Sequence, residues 1–224
     1  MNQVRTGSMQ MNITTERSHR HVFFRNSFIY KGLFSAEECD TIIEYFKANQ
    51  PVNATVVDLD KTSANKIVSK SMDEVRVGKI VFVNCNESKL KFAFDKLYKT
   101  ALWANFGWSI FSLEYLQITE YDGDTTGGFY KRHRDIIVDQ TPQRILSSVT
   151  QLSKKEDYDG CDLVFDAGKN LPTTNMYCNR GDTVFFLADE PHEVTPVQRG
   201  KRYSLTAWYT GPPFWNSHTL PKNF

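Results

Sequence analysis

Five histidines occur in the 224-residue chain, and two of them stand where a cation could be shared. In Phe129-Tyr130-Lys131-Arg132-His133-Arg134-Asp135, His133 and Asp135 are two apart. A strand has a side-chain period of two, so both groups would lie on one face. On spacing alone this pair reads equally well as a solvated surface pair. A second imidazole, His192 in Pro191-His192-Glu193-Val194-Thr195-Pro196-Val197, changes the balance. Two imidazoles and one carboxylate can occupy one face of an octahedron and leave three positions open, the ligand set of non-haem iron sites, although imidazole and carboxylate accept other divalent metals too. His19, His21 and His218 lie near the ends without such partners and read as solvated residues.

Ten residues beyond His192 comes Arg202. From there Arg202, Ser204, Thr206 and Trp208 alternate with Tyr203, Leu205, Ala207 and Tyr209, so a strand here has one polar face and one face suited to a core. A guanidinium on the polar face offers a planar fork of donors that matches a carboxylate, and it keeps its charge when partly buried. It could anchor one end of a dicarboxylate whose other end chelates the metal, the arrangement 2-oxoglutarate requires.

These residues need a scaffold. Ser35-Ala36-Glu37-Glu38 has the form of a capping box, and Cys39, Ile42, Ile43 and Phe46 follow at helical spacing. A second helix is expected from Asn86, with Leu90, Phe94, Leu97, Tyr98, Ala101 and Leu102 on one face, ending before Gly107. After it the runs Phe111 to Tyr121, Arg144 to Leu152, Asp162 to Phe165, Thr183 to Leu187 and Arg202 to Tyr209 are β-rich and separated by Gly, Pro, Asp and Asn. Helices followed by strands argue against a doubly wound parallel sheet and for an antiparallel sandwich or barrel with supporting helices, mainly β in class. The expected organisation is one domain over residues 10–224, with helical support in 10–107 and a β core in 108–212. Gly7-Ser8-Met9 resembles a vector scar before a second start, so residues 1–9 read as a tag remnant.

Composition narrows the classes of function. With 27 basic and 26 acidic residues, no strong field draws the chain to nucleic acid or an anionic membrane. No run approaches the roughly 20 apolar residues of a membrane helix, and no signal peptide is evident, so the cytoplasm is the expected compartment. Cys39, Cys85, Cys161 and Cys178 form no CxxC pair and read as reduced, buried thiols; Cys161 and Cys178 have no evident basic neighbour, so neither is expected to be a nucleophile. Patterns for a GxSxG elbow, a phosphate loop, GxGxxG and HExxH are absent from the sequence.

Taken together, His133-Arg134-Asp135 and the stretch from His192 through Arg199-Gly200-Lys201-Arg202-Tyr203-Ser204 to Trp208 resemble the Fe(II)/2-oxoglutarate-dependent oxygenases of the prolyl 4-hydroxylase-like family. The resemblance runs from about Leu113 to Trp208. It implies a double-stranded β-helix (jelly roll), iron ligated by His133, Asp135 and His192, and Arg202 on the distal carboxylate of 2-oxoglutarate. Ser204 completes an Arg-x-Ser pattern for that carboxylate, and Tyr121 matches a tyrosine that hydrogen-bonds the cosubstrate. Tyr130, Arg144 and Trp208 fall where family members place residues around a target proline, and the segment Gln50 to Ser71 resembles a substrate-covering loop. The implied reaction hydroxylates a peptidyl residue, proline above all, with Fe(II), 2-oxoglutarate and O2 and with ascorbate in support. In place of a tyrosine that several members carry on the strand before the acidic loop, this chain has Gln151.

Two other readings stay open at this level. One is an oxygenase of the same superfamily acting on a small molecule or nucleobase, against which the near-neutral charge weighs for nucleic acid. The other is a catalytically silent metal- or peptide-binding β-barrel. Oligomeric state is not encoded in any motif found.

Overall fold

The computed structural model describes residues 21–24, 27–57, 69–70, 73–104, 109–137, 142–165 and 179–212. Strands β1 (His21–Phe24) and β2 (Ser27–Tyr30) precede helix α1 (Ala36–Ala48), after which come four two-residue strands, β3 (Val52–Asn53), β4 (Val56–Val57), β5 (Ser69–Lys70) and β6 (Arg76–Val77). Strand β7 (Lys79–Val83) then leads to α2 (Lys91–Ala104). The remainder is β8 (Ser112–Asp122), β9 (Phe129–His133), β10 (Gln143–Gln151), β11 (Tyr158–Gly160), β12 (Leu163–Phe165), β13 (Thr183–Leu187), β14 (His192–Val194) and β15 (Val197–Gly211).

The major sheet runs β1-β2-β13-β10-β15-β8-β7-β3, with β11 added to β15, and the minor sheet runs β12-β14-β9-β6. Adjacent strands in both are antiparallel. This is the antiparallel sandwich expected from the pattern, in the jelly-roll form that the resemblance implies, with the polar site on its inner faces.

The alternation on β15 divides two cores. Tyr203, Leu205, Ala207 and Tyr209 turn to the helix side, where they meet Cys39, Ile42 and Phe46 of α1 and Leu97 and Ala101 of α2. Between the sheets a smaller cluster gathers Ile29, Tyr121, Leu163, Val184, Phe186 and Val194. Helix α1 starts where its capping box sets it: Ser35 Oγ accepts from the Glu38 N–H at 3.2 Å and Glu38 Oε2 from the Ser35 N–H at 2.8 Å, satisfying two of the orphan donors of a helix start.

Three expectations need correction. Leu102 was placed on the buried face of the second helix, yet it is 47% exposed, because α2 begins only at Lys91 after a 3-10 turn over Ser88–Leu90 and its inward stripe is Ala93, Phe94, Leu97, Thr100 and Ala101. Helices do not simply precede strands, since β1, β2, β3 and β7 from the N-terminal part extend the major sheet. Cys85 is exposed rather than buried. Residues 1–20, 58–68 and 213–224, with Cys178, His19 and His218 among others, lie outside the described residues, so of the segment Gln50 to Ser71 only the short pairing of Val56–Val57 with Ser69–Lys70 and the preceding β3 are described.

Candidate metal and cosubstrate site

His133 is the last residue of β9, and the register sets it directly opposite His192 on β14. Opposed residues on neighbouring strands share a face at contact distance, and the two rings lie 4.2 Å apart between centroids. Each Nδ1 is held by a backbone carbonyl, that of Lys131 at 2.8 Å for His133 and that of Glu190 at 2.9 Å for His192. An imidazole that donates from Nδ1 in this way has its Nε2 lone pair free for a metal. Both Nε2 atoms turn to Asp135, 3.7 Å from Oδ1 in one case and 3.8 Å from Oδ2 in the other, too far for hydrogen bonds.

Asp135 does not lie on the strand with His133 as the two-residue spacing suggested. Strand β9 ends at His133, and Asp135 is fixed in the following segment, where its N–H and that of Ile136 both donate to the Ala188 carbonyl at 2.9 Å. The three ligand atoms lie within 4.8 Å of one another. Asp135 Oδ2 is buried without a hydrogen-bond partner, and a buried anionic oxygen in that condition is costly unless a cation meets it.

The electrostatics are those of a cation site. Burial, with His192 alongside, pushes the His133 imidazole down to about 3, which keeps it neutral and able to ligate. Burial works to raise the Asp135 carboxyl, but His192, His133, the Ser147 hydroxyl and Arg144 together outweigh it and hold the group below its ordinary range. Aromatic rings wall the cluster: Tyr130 stacks on His133 at 3.5 Å, and Phe186 meets His192 edge-on at 4.8 Å.

Arg202 lies between the sheets, 4% exposed, opposite Tyr121 of β8. Its Nε donates to Gln151 Oε1 at 2.9 Å, while Nη1 is buried without a partner. Both face a cavity lined on its apolar side by Ile29, Val149, Leu163 and Val184 and on its polar side by Asp162 and Asp182. A buried guanidinium nitrogen without a partner calls for an anionic acceptor, so Arg202 fits a carboxylate. Ser204, next on the same face of β15, is buried opposite Gln151. Cys161 also borders the cavity and contacts Arg202, which corrects the reading that this thiol has no basic neighbour; burial nevertheless raises its pKa, so it is no activated nucleophile.

Arg144 and Trp208 meet on the same inner face. The guanidinium lies 4.4 Å over the Trp208 ring and is held by Glu114 Oε2 at 2.9 and 3.0 Å and by the Tyr115 hydroxyl at 2.7 Å. Tyr115 packs edge-on against Trp208 at 5.4 Å and against Phe82 at 5.1 Å, and Phe82 is 51% exposed. Tyr130, stacked on His133, is covered on its other side by Arg76 of β6 at 4.5 Å. Glu114, Tyr115, Phe82 and Arg76 were missed by the sequence reading. None belongs to a local motif, and only strand pairing brings them to the site: β6 to β9 for Arg76, β7 to β8 for Phe82, and β8 through β15 to β10 for Glu114 and Tyr115.

Residues 116–210 match the model of the 2OG-Fe(II) oxygenase superfamily, a stretch that contains the triad, Gln151 and Arg202. The whole fold superposes on a prolyl-4-hydroxylase of Pseudomonas putida with a TM-score of 0.64, at 19% identity, covering 84% of this chain and 94% of that one. The chain carries the prolyl hydroxylase-like fold of the 2OG-Fe(II) oxygenases. A prolyl hydroxylase of Trichoplax adhaerens, solved in complex with a hypoxia inducible factor oxygen degradation domain peptide fragment, also gives a TM-score of 0.64, at 18% identity over 83% of this chain and 84% of that one. Among curated relatives, a PKHD-type hydroxylase of Alteromonas mediterranea is 28% identical over 91 residues, 39% of each protein. A PKHD-type hydroxylase of Pseudomonas putida is 34% identical over 88 residues, 37% of this chain and 38% of that protein. The match thus spans about two-fifths of the length of these relatives.

Proposed function

We propose that this chain is an Fe(II)- and 2-oxoglutarate-dependent dioxygenase that hydroxylates a prolyl residue in a peptide or protein. The observation that carries the reading is the pairing of an oxygen and a nitrogen, both buried and unpartnered: Asp135 Oδ2 in a cluster with two imidazoles, and Arg202 Nη1 at the cavity. One asks for a cation and the other for a carboxylate.

Protein side chains cannot oxidise an unactivated C–H bond, so the oxidising power must be borrowed. Iron with bound 2-oxoglutarate and O2 supplies it, the sum of the reaction being substrate C–H, O2 and 2-oxoglutarate to C–OH, succinate and carbon dioxide. His133, Asp135 and His192 would hold the metal, and the Asp135 carboxylate would offset one of its positive charges inside a low-dielectric barrel. Backbone bonds to the two Nδ1 atoms fix both ring orientations, so ligand geometry is set before metal arrives. Arg202 would bind the distal carboxylate of the cosubstrate, with Tyr121 and Ser204 beside it.

Support for a peptide substrate comes from the surface leading to the site. Trp208, Tyr115 and the exposed Phe82 form a continuous aromatic wall with Arg144 beside it, and such rings receive apolar, ring-shaped groups such as proline well. The Trichoplax neighbour, solved with a peptide, points the same way. Incubation with Fe(II), ascorbate, 2-oxoglutarate and proline-containing peptides should release succinate in step with a peptide mass gain of one oxygen. Absence of succinate with every peptide, and without any, contradicts the proposal.

A further inference from the structure

The Arg202 end of the barrel contains a chain of buried polar side chains. Gln151 presents Oε1 to Arg202 Nε at 2.9 Å, and its own amide Nε2 is spent on the Ser153 carbonyl at 2.9 Å. Both residues are buried. The side-chain amide therefore has a fixed orientation, since a flip would set its NH2 against the guanidinium and its oxygen against a carbonyl. One N–H of the amide is engaged by the Ser153 carbonyl and the oxygen accepts from Arg202, so the side chain is held at both ends. Its role lies with Arg202.

Cys161 borders the same cavity as Arg202. It is 1% exposed and has φ of 55°, a left-handed conformation that a residue with a Cβ adopts at a cost of about 1 kcal/mol or more. With Nε engaged by Gln151, Arg202 has Nη1 buried and without a partner.

We infer that Gln151 is the positioning residue for the cosubstrate: braced by Ser153, it fixes Arg202 so that Nη1 meets the distal carboxylate of a five-carbon 2-oxo dicarboxylate. This rests on the oxygenase reading and adds to it which residue sets the depth of the pocket. A glutamine suits the task because it accepts from the guanidinium without neutralising it. A carboxylate at the same place would itself satisfy Arg202 and remove the positive charge that a dicarboxylate needs.

The test is calorimetric titration of 2-oxoglutarate, and of the one-carbon-longer 2-oxoadipate, into the full-length protein loaded with Mn(II), for wild type, Gln151→Glu and Gln151→Leu. Mn(II) affinity and thermal unfolding are measured on each. Gln151→Glu should weaken 2-oxoglutarate binding at least about 30-fold while leaving the unfolding temperature equal or higher; Gln151→Leu should weaken it at least about 5-fold and narrow the preference over 2-oxoadipate, because the guanidinium loses its brace. A merely structural role gives the reverse order, the near-isosteric glutamate being the milder change. Either variant binding 2-oxoglutarate within twofold of wild type, or leucine proving worse than glutamate, overturns the inference and leaves the oxygenase reading intact. Failure of metal-loaded wild type to bind 2-oxoglutarate overturns both.

Discussion

The two imidazoles owe their usefulness to contacts made on the side away from the site. With Nδ1 of His133 and of His192 bonded to the Lys131 and Glu190 carbonyls, ring rotation is removed, and both Nε2 atoms remain available to a cation. Replacing His192 by alanine should lower Mn(II) affinity by more than about 100-fold, exceeding the loss typical of changing only an outer partner of a metal ligand, as read by calorimetry. The metal-free protein should also carry a pH signature. Burial holds the His133 pKa at about 3 against an ordinary 6.5, so between these values the unfolded chain binds a proton that the folded chain refuses. Stability is then fully present above pH 6.5 and declines as pH falls toward 3. Denaturant midpoints measured across that range in the presence of chelator should slope accordingly, and His133→Ala should flatten the slope.

Elements deliver these side chains with unequal legibility. The β15 alternation of Arg202 and Ser204 against Tyr203 and Leu205 could be read directly, because a long strand with a polar and an apolar face has a period that survives any context. So could α1, whose capping box is local in sequence. The short strands β3, β4, β5 and β6 were not legible, since two residues carry no period; they exist through pairing with β7, with each other and with β9. For the same reason Arg76 was invisible as a site residue; Glu114 lies in the long strand β8, and only its bond to Arg144 across the sheet marks it. Asp135 was found for a reason the structure revises, being fixed by Ala188 rather than by strand alternation. Two substitutions test this division of labour. Leu205→Ala, on the core side of β15 and fully buried, should cost about 2–5 kcal/mol, and Ser35→Ala, at the N-cap of α1, about 1 kcal/mol, both measured by chemical denaturation. Because β15 also carries Arg202, the first change is expected to weaken 2-oxoglutarate binding as well, while the second leaves it unaltered.

Across the whole molecule, the sandwich separates two tasks on two faces of one sheet. Helices α1 and α2 cover the outer face and supply the larger apolar core, leaving the inner face free to hold charged and polar groups that no stable core would choose. That face carries the cavity bordered by Arg202, the His133, Asp135 and His192 cluster, and an aromatic group of Trp208, Tyr115 and the exposed Phe82. Phe82→Ala should therefore raise KM for a peptide substrate several-fold while 2-oxoglutarate affinity stays at the wild-type value, a split that steady-state kinetics and calorimetry read separately. Trp208→Ala, closer to the metal, should lower kcat too.

The account stands most directly on where one ion and one dicarboxylate bind. Crystals soaked with Mn(II) and 2-oxoglutarate under anaerobic conditions, with anomalous data collected at the manganese edge, measure this. The predicted result is a single strong peak bound by His133 Nε2, Asp135 and His192 Nε2, with a carboxylate of the cosubstrate on Arg202 Nη1. A peak elsewhere, or a dicarboxylate that avoids Arg202, would contradict it.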